Sequence, residues 1–174
     1  MTVLTYPPAV LADNYTLLNT GGTSLTGATD ITISGISGKN SLIIYVYNAS
    51  SANANSEIKL RVNSGGDSYF NSLYMTDATT NTIDVDETHG GYWLESQTRM
   101  GTQTTDRVKI ILRMDGCNTT GAKPYGWSAF TNISSNGQAS TGTGFSLIAG
   151  AITSVTVNSS TGNFDAGTIW VYGA

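Results

Sequence analysis

The chain of 174 residues holds one histidine, His89, and one cysteine, Cys117. Serine hydrolysis needs a nucleophile, an imidazole base and a carboxylate that orients the base. His89 stands next to Gly90 and Gly91 in a polar stretch, and no Gly-x-Ser-x-Gly elbow occurs anywhere. Nothing local pairs Cys117 with His89, and a lone cysteine excludes an internal disulfide and a Cys-rich zinc site. Gly35-Ile36-Ser37-Gly38-Lys39 has the outline of a phosphate-cradling loop. However, the first glycine such a loop requires falls at Ile33, and Asn40 stands where Ser or Thr would hold magnesium. The run that follows reads as a strand where a helix N-terminus would be needed. The segment is read as a tight turn.

The densest acidic group is Asp84, Asp86, Glu87 and Glu95. Glycoside hydrolysis asks for two carboxyls roughly 5–9 Å apart across a cleft, whereas three of these four crowd one loop, where carboxylates more often solvate the surface. Asp84-x-Asp86 with His89 offers oxygen and nitrogen donors but matches no complete calcium or zinc ligand set. No metal, no cofactor and no catalytic residues are therefore expected. Carbohydrate binding has better material. Tyr92-Trp93 and Tyr125-Gly126-Trp127 lie beside Gly-rich loops, so Tyr92, Trp93, Tyr125 and Trp127 are candidates for stacking on a glycan. The competing reading is that they fill a core or an interface, as most aromatic residues in a β-sandwich do.

The elements that must carry these residues follow from composition. Charged residues are only 11% of the chain, against roughly 25% in an average soluble protein. In their place stand 26 Thr, 19 Ser, 14 Asn and 20 Gly, with only three Glu and four Lys. Thr suits a pleated strand and Gly, Asn and Ser supply turns, so the chain is expected to be all-β. Disorder is excluded by the 39% of apolar residues gathered into alternating blocks. A net charge of −4 without a basic stripe argues against a nucleic-acid partner. No apolar run approaches the roughly 20 residues that span a bilayer, and Met1 to Ala12 lacks the basic and apolar regions of a secretory signal. Neither a nucleic acid nor a membrane is expected as a partner.

Along the chain, residues 1–13 stand apart: Val3, Leu4, Tyr6, Val10 and Leu11 flank Pro7-Pro8, which removes two backbone donors and suits an extended arm laid along a surface, with an edge strand of the core broken by proline as the competing reading. Strands are predicted over 30–36, 41–48, 57–63, 69–75, 91–97, 106–114, 126–133, 143–151, 152–158 and 167–173. Residues 76–91 are expected to form a polar surface excursion. Ile58, Leu60 and Val62, and likewise Val108, Ile110, Leu112 and Met114, alternate with polar or charged neighbours and should share one core. The 41–48 run is apolar on both faces: Leu42, Ile44 and Val46 on one, Ile43, Tyr45 and Tyr47 on the other. A two-layer sandwich covers one face of each sheet, so Ile43, Tyr45 and Tyr47 are expected at an oligomer interface. About ten strands at roughly 8–15-residue spacing predict a two-sheet, jelly-roll-like β-sandwich over residues 14–174, carrying the 1–13 arm.

The C-terminal residues add a likeness. Ile152-Thr153-Ser154-Val155-Thr156-Val157 is followed by Gly162-Asn163-Phe164 and by Ala166-Gly167-Thr168-Ile169-Trp170-Val171-Tyr172-Gly173. This resembles the closing hairpin of small jelly-roll modules in virion structural proteins of tailed bacteriophages. The upstream runs Ile36-Ser37-Gly38 to Val46 and Leu60-Arg61-Val62-Asn63-Ser64-Gly65-Gly66-Asp67-Ser68-Tyr69 are similar to the same modules. The resemblance covers roughly residues 14–174 and rests on turns and strands, so it speaks for fold and setting more than for activity. It implies a component of the virion exterior: a capsid decoration or cement protein, a head fibre, or a tail-fibre tip, commonly homotrimeric. The chain has no coiled-coil or fibrous shaft to carry a tip outward, which favours a decoration protein on the outside of the head. Val3, Leu4, Tyr6, Pro7, Pro8, Val10 and Leu11 would then be the capsid-binding arm, with the major capsid protein or another virion protein as partner. A receptor-binding tip that holds a host surface glycan is the alternative, and a glycan-processing enzyme stands third.

Overall fold

The computed structural model describes residues 14–54, 56–63, 68–76, 80–86, 99–101, 107–133 and 136–174. All regular structure in them is β: thirteen strands in two antiparallel sheets. The strands are β1 (Thr16–Leu17), β2 (Thr23–Ser24), β3 (Asp30–Ser34), β4 (Ser41–Ser51), β5 (Ser56–Val62), β6 (Ser68–Thr76) and β7 (Thr80–Asp86), then β8 (Arg99–Met100), β9 (Val108–Asp115), β10 (Lys123–Ile133), β11 (Asn136–Ser146), β12 (Ser154–Ser159) and β13 (Phe164–Gly173). The large sheet runs β1-β13-β4-β9-β10-β11-β6-β7, with β2 also pairing β13, and the small sheet runs β3-β12-β5-β8. Each small-sheet strand, β3, β5, β8 and β12, is preceded and followed in the chain by a large-sheet strand, so the chain changes sheet repeatedly and staples the two layers together. The expected two-sheet sandwich is the fold.

Periodicity of two explains which faces meet. In β9 the burial strictly alternates, with Val108, Ile110, Leu112 and Met114 inside and Lys109, Ile111 and Arg113 outside. In β5 Ile58, Leu60 and Val62 alternate with the half-buried Glu57, Lys59 and Arg61. These seven core residues are at most 1% exposed. They pack with Leu42, Ile44 and Val46 of β4, with Ile169 and Val171 of β13, and with Val155 and Val157 of β12. Each such side chain contributes about 1.5–3 kcal/mol by leaving water.

Two irregularities re-aim the strands around β4. Val46 pairs Ile110 but Ala49 pairs Val108, so Tyr47 and Asn48 together oppose Lys109. Asn48 takes the left-handed conformation that such a bulge demands, with φ 54°. The bulge turns Ala49 inward, and Ser50 and Ser51 are buried after it. On the other side, Gly167 sits at φ 119°, and a Cβ there would lie 2.8 Å from the Ala49 Cα. Only glycine lets β13 approach β4 this closely.

Two expectations are corrected. The 76–91 excursion contains β7, whose Ile83 and Val85 alternate with Asp84 and Asp86, hydrogen-bonded to β6 in register Leu73↔Ile83. The strand expected at 143–151 is β11, which begins at Asn136 and ends at Ser146; register Ile133↔Asn136 leaves only residues 134 and 135 between it and β10. Its Gly, Ser and Thr residues carry a backbone ladder without an apolar signal. Ile148 and Ile152 are apolar because the connection that follows dips into the core, at 8% and 2% exposure. The strand expected over 91–97 lies outside the described residues.

Candidate interaction face

The outward side of the large sheet is the surface that the sequence singled out through β4. Ladder register places side chains there in rows. Trp170 of β13, Tyr45 of β4, Ile111 of β9 and Ser128 of β10 form one row, and Thr168, Tyr47 and, beyond the bulge, Lys109 and Phe130 lie beside it. Tyr45 stacks on Trp170 at 5.8 Å between ring centroids and 26° between planes, and Tyr47 closes the cluster at 5.9 Å from Tyr45. The Lys109 Nζ lies 5.0 Å from the Tyr47 ring centroid, a cation–π contact that holds the ammonium over this face.

Exposure rises along the row away from β13. Trp170 and Tyr172 are buried, at 8% and 0% exposed. The turn before β2 folds over that end: a Cβ on Gly22 would lie 2.5 Å from the Trp170 Nε1. Asn19 fixes this turn, donating to the Ile169 carbonyl at 2.8 Å and accepting from the Val171 N–H at 2.8 Å. Ile43, Tyr45 and Tyr47 are half-buried. Farther out, Ile111 is 46% exposed and Phe130 51% exposed, and both face solvent in the single chain. Phe145, 42% exposed and paired with Pro124, continues the apolar surface toward the end of β11. The small sheet's outward side is different in kind. Thr32 and Thr156 share a 2.8 Å hydrogen bond there, Arg61 faces Asp30 at 3.8 Å, and Lys59 faces Glu57 at 3.9 Å. One face is polar and internally paired, the other apolar and aromatic.

The expected interface residues Ile43, Tyr45 and Tyr47 are thus brought together on one surface. Sequence reasoning missed Trp170, Ile111 and Phe130 as its continuation. Ile111 carries a readable signal, an isoleucine at the polar phase of β9 between Lys109 and Arg113, but joining it to Tyr45 needs the strand order. Tyr125 and Trp127, read as glycan-stacking candidates, point the other way: they are 5% and 4% exposed and belong to the core. Their phase in β10 matches the inward side, so as core side chains they offer no open face to a sugar. Tyr92, Trp93, His89, Glu87, Glu95 and the whole arm (Val3, Leu4, Tyr6, Pro7, Pro8, Val10, Leu11) lie outside the described residues. Asp84 and Asp86 are placed in β7 by its backbone.

Other polar groups are engaged in holding the fold. Lys123 is fully buried, and its ammonium donates to the carbonyls of Thr119, Gly121 and Ile148 at 3.1, 3.0 and 2.7 Å. Three acceptors match its three donors. Ser51, Ser56 and Ser159 form a hydroxyl cluster between the sheets, with Ser56 and Ser159 2.7 Å apart and Ser51 donating to the Thr161 carbonyl at 2.9 Å. The Ser50 hydroxyl donates to the Asp165 carboxylate. Burial pushes the Cys117 thiol up to about 12, with the Asp115 charge adding to the effect, which leaves it a poor nucleophile. Among the described residues, no group of three or more His, Cys, Asp or Glu side chains is placed to hold a metal ion. No protein-family model, curated protein or solved structure matches the chain.

Proposed function

We propose that the protein is a structural component of a bacteriophage virion exterior, a capsid decoration protein that binds the outside of the head as a symmetric homotrimer. The observation that carries this reading is the outward face of the large sheet. A nine-stranded sheet that leaves Ile111 and Phe130 about half exposed beside Tyr45 and Tyr47 has the character of a surface that another subunit covers. A subunit of an assembled shell needs such a face, and it needs neither a nucleophile nor a cofactor. The resemblance of residues 14–174 to virion jelly-roll modules supports the setting, and the low charge with abundant Thr, Ser and Asn suits a shell surface.

The test is antibody labelling of intact particles viewed by electron microscopy. Signal over the whole head supports decoration. Signal confined to the tail or to single vertices replaces it with a fibre component, for which glycan arrays are the next measurement. Absence from purified particles overturns the reading.

A further inference from the structure

The outward face of the large sheet is built on two levels. Its residues on β4 and β9 are large: Ile43, Tyr45 and Tyr47, then Lys109, Ile111 and Arg113. The same phase on β10 and β11 carries Gly126 and Ser128, then Ala139, Thr141 and Thr143, so the surface steps down there. The fold itself does not require the step. Gly126 lies outside the left-handed region, and a Cβ on it would meet the Gly142 carbonyl oxygen and the Thr143 Cγ2 at an ordinary 3.8 Å. Glycine inside a strand weakens it and often marks the close approach of another surface. The Thr141 hydroxyl donates to the Trp127 carbonyl at 2.8 Å and lies 3.4 Å from the Ser128 hydroxyl. These hydroxyls are bonded within the chain, so covering them leaves no orphaned group.

Two copies can cover each other's faces about a twofold axis that lies in the plane between them, and the register decides its direction. An axis across the strands through Ile111 lays β9 on β9 of the second copy. It sets Lys109 against Arg113, like charge on like, and large residues against large ones. An axis along the strands, between β9 and β10, lays β9 on β10 and β4 on β11 of the second copy. Each large side chain then faces a small one. Ile111 meets Ser128 and Arg113 meets Gly126, while Ile43, Tyr45 and Tyr47 meet Thr143, Thr141 and Ala139. Phe145, which is 42% exposed, comes over Ser41, and Lys109 comes over the ring of Phe130, a cation–π pairing.

We propose that this two-level face is self-complementary and pairs with the same face of a second copy about the axis that runs along the strands. The contact is isologous, so every pairing across it occurs twice, and the strands of the two sheets stay nearly aligned, as in face-to-face sheet packing. Four strands about 4.8 Å apart and about seven residues of about 3.3 Å give a flat footprint of roughly 440 Å² on each copy. Roughly 880 Å² in total stands at the low end of specific interfaces, so the pair forms at micromolar and higher concentration and dissociates on dilution. This inference rests on the reading that another subunit covers this face. It adds a twofold contact to the proposed threefold state, whose own contact then uses other surfaces.

Sedimentation velocity on the full chain over a series of concentrations tests it, with far-ultraviolet circular dichroism and denaturant unfolding as checks on folding. The wild type should associate reversibly into an even-numbered species, a dimer or a hexamer. Gly126→Phe, which fills the step, should fold at least as stably as wild type and associate at least tenfold more weakly. Ile111→Ser, which removes a residue of the raised half, should weaken association to a similar degree. Ile111→Ser with Ser128→Ile exchanges the two levels at one position, so large again faces small, and association should return to within a few-fold of wild type. An odd-numbered wild type, a trimer above all, overturns the inference and leaves the proposed threefold state standing. A wild type that stays monomeric throughout overturns both. If Gly126→Phe folds and associates as wild type does, or the exchange fails to recover what Ile111→Ser lost, the pairing is wrong. Should Gly126→Phe disturb the β-sheet spectrum, Ser128→Trp replaces it; weaker association supports the pairing, and unchanged or stronger association overturns it.

Discussion

At the scale of single residues, the inward phase of β9 and the burial of Cys117 and Tyr125 make separate demands on stability. Leu112 is fully buried between the sheets, so Leu112→Ala removes its transfer energy and leaves a cavity, at a cost of ~2–5 kcal/mol by denaturant unfolding. The ionisable pair acts through pH. The Cys117 thiol is raised from 9.0 to about 12, and burial raises the Tyr125 phenol as well. Both groups keep their protons longer in the folded chain than in the unfolded one. The thiol's stabilising effect is complete well below pH 9, where the unfolded thiol is also protonated, and is lost as pH climbs from 9 toward 12; the phenol's loss begins about a unit higher, above pH 10. Unfolding stability should therefore fall with alkaline pH, by up to about 1.4 kcal/mol per pH unit for each group within its window. Thermal melts of wild type and Cys117→Ala between pH 8 and 11 measure this: the variant should show a shallower decline above pH 9, and identical slopes would refute the assignment to the thiol.

At the scale of elements, side chains of Asn do the joining that strands cannot. Asn63 follows β5 in the left-handed conformation, φ 50°. Its Oδ1 accepts from the Thr153 N–H at 2.8 Å, the Thr153 hydroxyl at 3.1 Å and the Ser154 N–H at 3.2 Å, while its Nδ2 donates to the Ala151 carbonyl at 3.0 Å. This one side chain sets where β12 begins. Asn63→Ala hands those mostly exposed groups to water and places alanine at positive φ, so a loss of about 1–2 kcal/mol is expected in chemical denaturation. Asn63→Asp, which keeps the acceptor, should lose less. Such a role is invisible in sequence, because Asn63 reads as one more turn residue among Ser64, Gly65 and Gly66. What was legible were the strands whose apolar residues alternate, β5 and β9 above all, since burial of one face writes itself into the chain with period two. β7 and β11 were not, because their pairing is carried by backbone groups under Thr, Ser, Gly and Asp. The candidate face was half legible for the same reason. Tyr45 and Tyr47 betray themselves within one strand, whereas Ile111, Phe130 and Trp170 become their neighbours only through a strand order in which β13, β4, β9 and β10 lie side by side.

At the scale of the whole molecule, the two outward faces and the N-terminal arm divide the work that assembly requires. The small sheet's face is polar and paired within itself, so it is suited to water. The large sheet's face has the apolar character of a subunit contact. In the proposed decoration role, binding to a capsid would fall to residues 1–13, where Val3, Leu4, Tyr6, Val10 and Leu11 flank Pro7-Pro8. Proline restricts the backbone of a chain, so a Pro-Pro segment has less conformational freedom to lose on docking. One arm of this size binds weakly, but arms joined in an oligomer act together, and their effective concentration raises avidity by orders of magnitude. It follows that deleting residues 2–12 should leave folding and assembly intact, because the described core and the large sheet's outward face begin after them. Circular dichroism and sedimentation velocity should be unchanged, while co-sedimentation with capsids stripped of this protein should be lost. A second variant separates avidity from the arm itself: a folded monomer that keeps its arm should bind stripped capsids at least tenfold more weakly than the oligomer. If the truncated chain binds them as well as full length does, the arm is not the anchor; if it fails to fold or assemble, residues 2–12 belong to the sandwich.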